Sequence, residues 1–240
     1  MSTFLQIVVG LMVGYAVVSL LESLIHRVIY HAGPRTRRLW AHHPRISAPF
    51  RHAYFSHGIV HHRWTFRRDF VTQFTSAHER ERLDQSLQGP RGLLIRREHY
   101  GMSLRGVGIV WFNLPMVPVL LLIGLVCGPW VLVGALPALA GYSCLAMFVH
   151  PYLHRPHDAV VGASPVLRWM LTTGYIRFLR QHHYLHHRYV DCNFNLLLGG
   201  DFILGRCRAP TAQDWEEMRG LGLVVNESGK PAYSHPSHSA

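Results

Sequence analysis

Residues 109–149 carry no charged side chain at all. An α-helix of about 20 apolar residues crosses a hydrocarbon core of about 30 Å, so forty-one residues are too many for one span and suit two. Gly128-Pro129 supplies a turn between them, giving expected spans over 109–127 and 130–149 as a helical hairpin. Pro115, Pro118 and Pro137 are expected to kink or locally unwind these helices, which neighbouring helices tolerate inside a membrane. A buried hairpin in a soluble protein is the alternative, but such helices rarely lack every charge on every face.

A third apolar run, residues 4–25, is interrupted only by Glu22 near its end. No basic region precedes it and no small-residue cleavage site follows, so it reads as an anchor rather than a removed signal. Gly10 and Gly14 form a G-x-x-x-G pattern, a short motif that can mark a helix-packing face.

Between these runs, residues 26–108 are polar and basic, with roughly fifteen arginines. The region 76–99 reads as a solvated helix plus loop, and residues 165–180 as one amphipathic helix able to lie in a membrane interface. The segment 226–240, rich in Ser, Pro and His, is expected to be disordered, and His235 and His238 within it have no assigned role.

The formal charge of +11 suits nucleic acid or an anionic membrane surface. The arginines are scattered and no nucleic-acid motif is present, so the membrane is favoured. Cys127, Cys144, Cys192 and Cys207 form no C-x-x-C pair, which excludes a thiolate metal site and points to free thiols.

Three spans place every polar segment of length on one face. The basic loops then make that face cytoplasmic, with the N-terminus opposite. Four histidine stretches fall there too: His26-x4-His31, His57-x3-His61-His62, His150-x3-His154 and His183-x2-His186-His187. Positions three and four apart share a helix face, so His183 with His186 or His187, and His182 with His186, can converge. Neutral imidazole is a common ligand of zinc, copper and iron. The spans hold no ionisable residue but Glu22 and cysteines, which argues against a transporter pathway.

Together these motifs resemble the fatty acid hydroxylase / sterol desaturase superfamily, membrane-bound histidine-rich di-metal oxygenases, and resemble its fatty acid 2-hydroxylases slightly more than its sterol oxidases. The likeness extends over about residues 20–206. It includes Glu22 four residues before His26, Asn193-Phe194 after the last histidines, and Asp201-x3-Gly205. Two features depart from the usual pattern. Three residues separate His57 from His61 where two are common, which leaves His52 as the alternative ligand to His57. Asn195 stands where glycine is usual.

The resemblance implies an all-α integral membrane protein: about three transmembrane helices, a cytoplasmic histidine-rich helical cap and an amphipathic interfacial helix. Residues 1–206 would form the hydroxylase-like domain and 207–240 a C-terminal tail. It carries metal-ligand roles onto His26, His31, His57, His61, His62, His150, His154, His183, His186 and His187. His26 and His31, five apart, diverge by about 140° on an ideal α-helix, so both can ligate only if the helix ends or bends between them. His52, His157 and His182 are candidates for orienting ligands. His42, His43, His78 and His99 read as surface residues.

The implied cofactor is two iron ions, with zinc possible in the isolated protein. The implied partners are a lipid substrate from the bilayer, dioxygen and a cytoplasmic electron donor, ferredoxin or cytochrome b-type with its reductase. The chain itself has no Rossmann, haem or iron–sulfur motif. The implied reaction is hydroxylation or desaturation of a lipid C–H bond, in a bacterial inner membrane or the endoplasmic reticulum. The competing readings are a zinc-dependent membrane hydrolase, for which no H-E-x-x-H is present, and a non-catalytic metal-binding membrane protein. Because ligand imidazoles must be neutral, metal loss is expected as pH falls well below about 6.

Overall fold

The computed structural model describes residues 1–102, 104–156 and 164–224. His157 and the segment 226–240 lie outside the described residues. Among the described residues the chain is helical, with no strand.

Helix α1 (Thr3–Ile25) is capped by the Ser2 hydroxyl, which accepts from Leu5 N. It runs on through a π-helical turn, π1 (His26–Tyr30). Short helices α2 (Pro34–His42) and α3 (Ala48–Ala53) lead into an eleven-residue π-helix, π2 (Tyr54–Trp64). Then come α4 (Ala77–Ser86) and α5 (Gly89–Arg97), followed by α6 (Val107–Asn113), α7 (Val117–Cys127) and α8 (Pro129–Cys144). Helix α8 continues through π3 (Leu145–Val149) into α9 (His150–Leu153), and the chain closes with α10 (Pro165–Leu171), α11 (Gly174–Arg188), α12 (Gly200–Ile203) and α13 (Ala212–Gly220).

Among the described residues, two continuous helices are long and apolar enough to cross a membrane: Thr3–Tyr30 and Pro129–Leu153. Both outrun their sequence-based limits, because each carries its π turn and first histidine as a continuation of the span. The expected span 109–127 is not one straight helix. α6 and α7 meet at a 60° bend, and Pro115 sits in the break, where its missing N–H and fixed φ end the helix. Pro118 opens α7, and Pro137 lies inside α8 without dividing it. Gly128, at φ +102°, makes the expected turn, a conformation that other residues rarely adopt.

The two long helices pack with little between them. A Cβ added at Gly10 would lie 2.2 Å from Val131 O, and one at Gly134 2.1 Å from Ile7 O. Gly14 similarly abuts Ala135. Both glycines of the G-x-x-x-G pattern therefore serve close α1–α8 contact. The outward faces of α1 and α7 remain apolar, with Phe4, Met12, Leu125 and Val126 among the most exposed side chains. Exposed apolar surface of this extent is consistent with a membrane location.

The expected helix over 165–180 is two helices. Thr173 caps α11 by accepting from Ile176 N, and Gly174 starts the new helix. The break lets α11 turn inward, where Ile176, Leu179, His182, His183 and His186 are all buried. A core of Val18, Ile25, Leu120, Tyr142, Leu153 and Leu179 joins α1, α7, α8 and α11. Phe70, Tyr184, Leu185, Met218 and Leu223 form a smaller cluster that seats α13 on the far side of α11.

Candidate metal centre

Three π-helical segments occur where histidines gather, and they change which residues face one way. In π1 the His31 N–H donates to His26 O at 2.9 Å, an i→i+5 bond that widens the turn. The two rings then stack, with centroids 5.3 Å apart and planes 5° from parallel. In π2 the same widening brings His57 Nε2 to 3.1 Å from His62 Nε2, again five residues apart. Spacing that diverges on an α-helix converges on a π-helix.

The ten histidines fall into two adjoining groups. His26, His31, His57, His62 and His186 offer ligand nitrogens all within 4.8 Å of one another. His61, His154, His183 and His187 form a second set of the same kind. His150 joins the second set through His183, with Nε2 atoms 3.0 Å apart. Adjacent residues divide between the groups: His61 and His62 on π2, His186 and His187 on α11. His52 is only half-buried on α3 and belongs to neither group, so His57 is the one brought into the cluster. His42, His43, His78 and His99 are exposed.

Hydrogen bonds to carbonyls fix which ring nitrogen is available. His186 Nδ1 donates to Cys192 O at 3.0 Å, and His154 Nδ1 donates to Phe70 O at 3.0 Å. Each Nδ1 therefore holds the proton, and each Nε2 presents a lone pair inward. The His186 lone pair faces His31 Nε2 and His62 Nε2, both at 3.1 Å. That of His154 faces His183 Nε2 at 3.0 Å. Nε2 of His61 and of His187 are buried without any hydrogen-bond partner in the structure. Buried imidazole nitrogens seldom go unpaired, and a cluster of inward lone pairs repels unless a cation lies among them. Nitrogens that share an ion at about 2.0–2.1 Å, at right angles, lie about 3 Å apart, as these do. The donor set fits a bound metal ion, and these buried clusters could hold one.

Electrostatics keep the rings in the ligating state. Burial, and then the charge that neighbouring histidines would carry, hold His57, His61, His62, His183 and His187 well below the ordinary imidazole range. Burial likewise brings His31 down to about 4.

A shell of polar residues ties the centre to α1. Glu22, 1% exposed, accepts from Leu196 N at 2.6 Å, Leu197 N at 2.9 Å and Asn195 Nδ2 at 3.2 Å. Asp201, fully buried, accepts from Ser23 Oγ at 2.6 Å, Asn195 N at 2.7 Å and His182 Nε2 at 3.1 Å. His182 therefore belongs to this shell and to neither ligand group. Asn195, in the position where glycine was expected, bridges it: its Oδ1 accepts from Asp201 N at 2.6 Å and its Nδ2 donates to Ser19 O at 2.8 Å. Asn193 adopts φ +57°, a region asparagine tolerates, and Phe194 then packs beside His26 and His186. The orienting carbonyls of Phe70 and Cys192 had no signal in the sequence, since any residue supplies one. Glu22 did have one, as the lone carboxylate of an apolar run.

A cavity of about 490 Å³ adjoins the centre, reached by His26, His57, His61, His150, His154 and His183. Its size lies in the range that takes small-molecule ligands, about 300–1,000 Å³. Comparison with protein-family models, with curated proteins and with solved structures gives no match to this chain.

Proposed function

We propose that this protein is a membrane-bound di-iron oxygenase that hydroxylates or desaturates a lipid C–H bond, using dioxygen and electrons from a separate cytoplasmic donor. The observation that carries this reading is the pairing of two buried all-histidine groups with a cavity walled by the continuations of two membrane-length helices. The sequence likeness to the fatty acid hydroxylase / sterol desaturase superfamily points the same way. In this reading the bent α6–α7 pair is the third span, and the basic loops support a cytoplasmic face for the histidines.

His26, His31, His57, His62 and His186 would hold one iron, and His61, His150, His154, His183 and His187 the other. Iron held there would supply dioxygen activation and hydrogen abstraction, chemistry that no side chain performs alone. The chain's own part is positional. The Cys192 and Phe70 carbonyls lock the tautomers of His186 and His154. The Phe112 and Tyr142 side of the cavity excludes water and receives an apolar chain. Glu22 borders the cavity too, but its oxygens are committed to the 195–197 backbone and side chain, which leaves it unsuited as the general base of a hydrolase.

Metal content per chain, after anaerobic purification from iron-grown cells, tests this directly. Near two irons is the expected result. Two zincs that iron cannot replace would overturn the oxygenase, and a folded chain with no metal would overturn the ligand set.

Acid release is the second expected outcome. An exposed imidazole titrates near pH 6.5, but burial lowers these rings, His31 to about 4. Protons therefore compete with metal only below the ordinary window, and retention should extend beneath the limit of about 6 that unperturbed histidines would set. Metal should stay bound at about pH 5 and be lost towards pH 4, followed by dialysis and metal analysis. Loss already complete at pH 6 would contradict a buried site.

A further inference from the structure

The wall of the cavity changes character along its length. Within one run of chain, from π3 through α9 and just beyond it, the lining passes from Ala146, Met147 and Phe148, through His150 and His154, to Arg155. Met147 lies in π3 and Arg155 two residues past the end of α9, with the two histidines between them along the chain. The α6 wall repeats the order. Phe112, stacked on Tyr142 with centroids 4.7 Å apart, marks the apolar end, and Arg105, in the loop before α6, marks the other.

The two arginines at that rim are outward and lightly engaged. Arg105, its side chain 76% exposed, pairs with Glu98 at 3.6 Å, which uses part of its five-donor fork. The Arg155 guanidinium lies 4.7 Å from the centroid of the Tyr152 ring, a stacking that steadies the planar group at the rim. Arg105, Arg155 and Glu98 all line the cavity, and of the two arginines it is Arg105 that pairs with Glu98.

Resting on the oxygenase reading, we propose that the cavity selects an amphiphile with an anionic head, a carboxylate or a phosphate, held by Arg105 and Arg155. Its chain passes the histidine groups and ends against Phe112 and Phe148. Guanidinium pairs such oxyanions through two parallel hydrogen bonds, which a neutral alcohol cannot accept.

The test is equilibrium binding to the full chain in a neutral detergent at pH 8, with radiolabelled hexadecanoate, hexadecyl phosphate and hexadecanol as probes. At least one anion should bind about tenfold more tightly than the alcohol. The R105Q/R155Q double variant should lose that preference and keep its affinity for the alcohol. Glu98→Gln, which removes the competing carboxylate, should tighten anion binding, a gain that a merely damaged fold would not give. Which anion binds better separates a free acid from a phosphate ester. Equal binding of all three probes by the native chain would overturn the proposal. Oxidation of neutral lipids without anion preference would sink the head-group site and leave the oxygenase. Anion preference with no iron-dependent oxidation would do the reverse.

Discussion

The His186→Ala protein is expected to accumulate in membranes like the native chain, to lose metal, and to lose lipid oxidation by at least about 100-fold, since even outer partners of metal ligands are worth 10–100-fold. His186 is fully buried, its Nε2 lies 3.1 Å from both His31 and His62, and its Nδ1 is anchored on the Cys192 carbonyl. Alanine leaves the first group one nitrogen short and the Cys192 carbonyl without its donor. The α11 backbone remains intact, because alanine is the strongest helix former. Iron per chain and oxidised lipid are measured together on equal amounts of membrane-extracted protein. His52→Ala, outside both groups, is the control and should keep its metal. Full metal and activity in the His186 variant would remove that residue from the ligand set.

Glu22→Ala should damage the fold itself. The carboxylate satisfies Leu196 N, Leu197 N and Asn195 Nδ2 in a site 1% exposed. Each buried donor left unpaired costs about 1–3 kcal/mol, so the change costs roughly 3 kcal/mol or more against a typical total of 5–15 kcal/mol. Thermal unfolding in detergent should show a large drop in midpoint, or the protein should fail to accumulate. Glu22→Gln keeps one acceptor oxygen but turns a second N–H donor toward backbone donors, so its loss should be intermediate. A native midpoint for Glu22→Ala would mean that Asp201 and the Ser19, Tyr15 and Tyr175 hydrogen bonds suffice to hold the 193–201 loop.

Much of this architecture is legible in the residues, and the parts that are not share a physical cause. Of the pairs that α-helical spacing allows on α11, His183 and His187 share a group, whereas His186 turns to the other group and His182 to Asp201. The turn at Gly128 reads correctly, because its φ of +102° favours glycine, but the first arm of the charge-free hairpin is bent at Pro115 rather than straight. The pairing of His26 with His31 does not read from an α-helical template. A π turn has no composition signature, and only the i→i+5 bond reveals it. The break at Thr173-Gly174 hides inside an amphipathic pattern that continues across it. Asn195 looks like a loss where glycine is usual, yet its side chain joins Asp201, Ser19 and Glu22. Long-range polar partners of this kind lie beyond any local window.

Neighbouring imidazoles on one backbone serve different groups, His61 beside His62 and His186 beside His187. The peptide that orders one ring also orders the next. A cation captured by either group would remove torsional freedom from π2 and α11 at once, so the other group would meet a cation already arranged. Filling of the two groups would then be linked, each binding energy containing a share of the rigidity that the other had established.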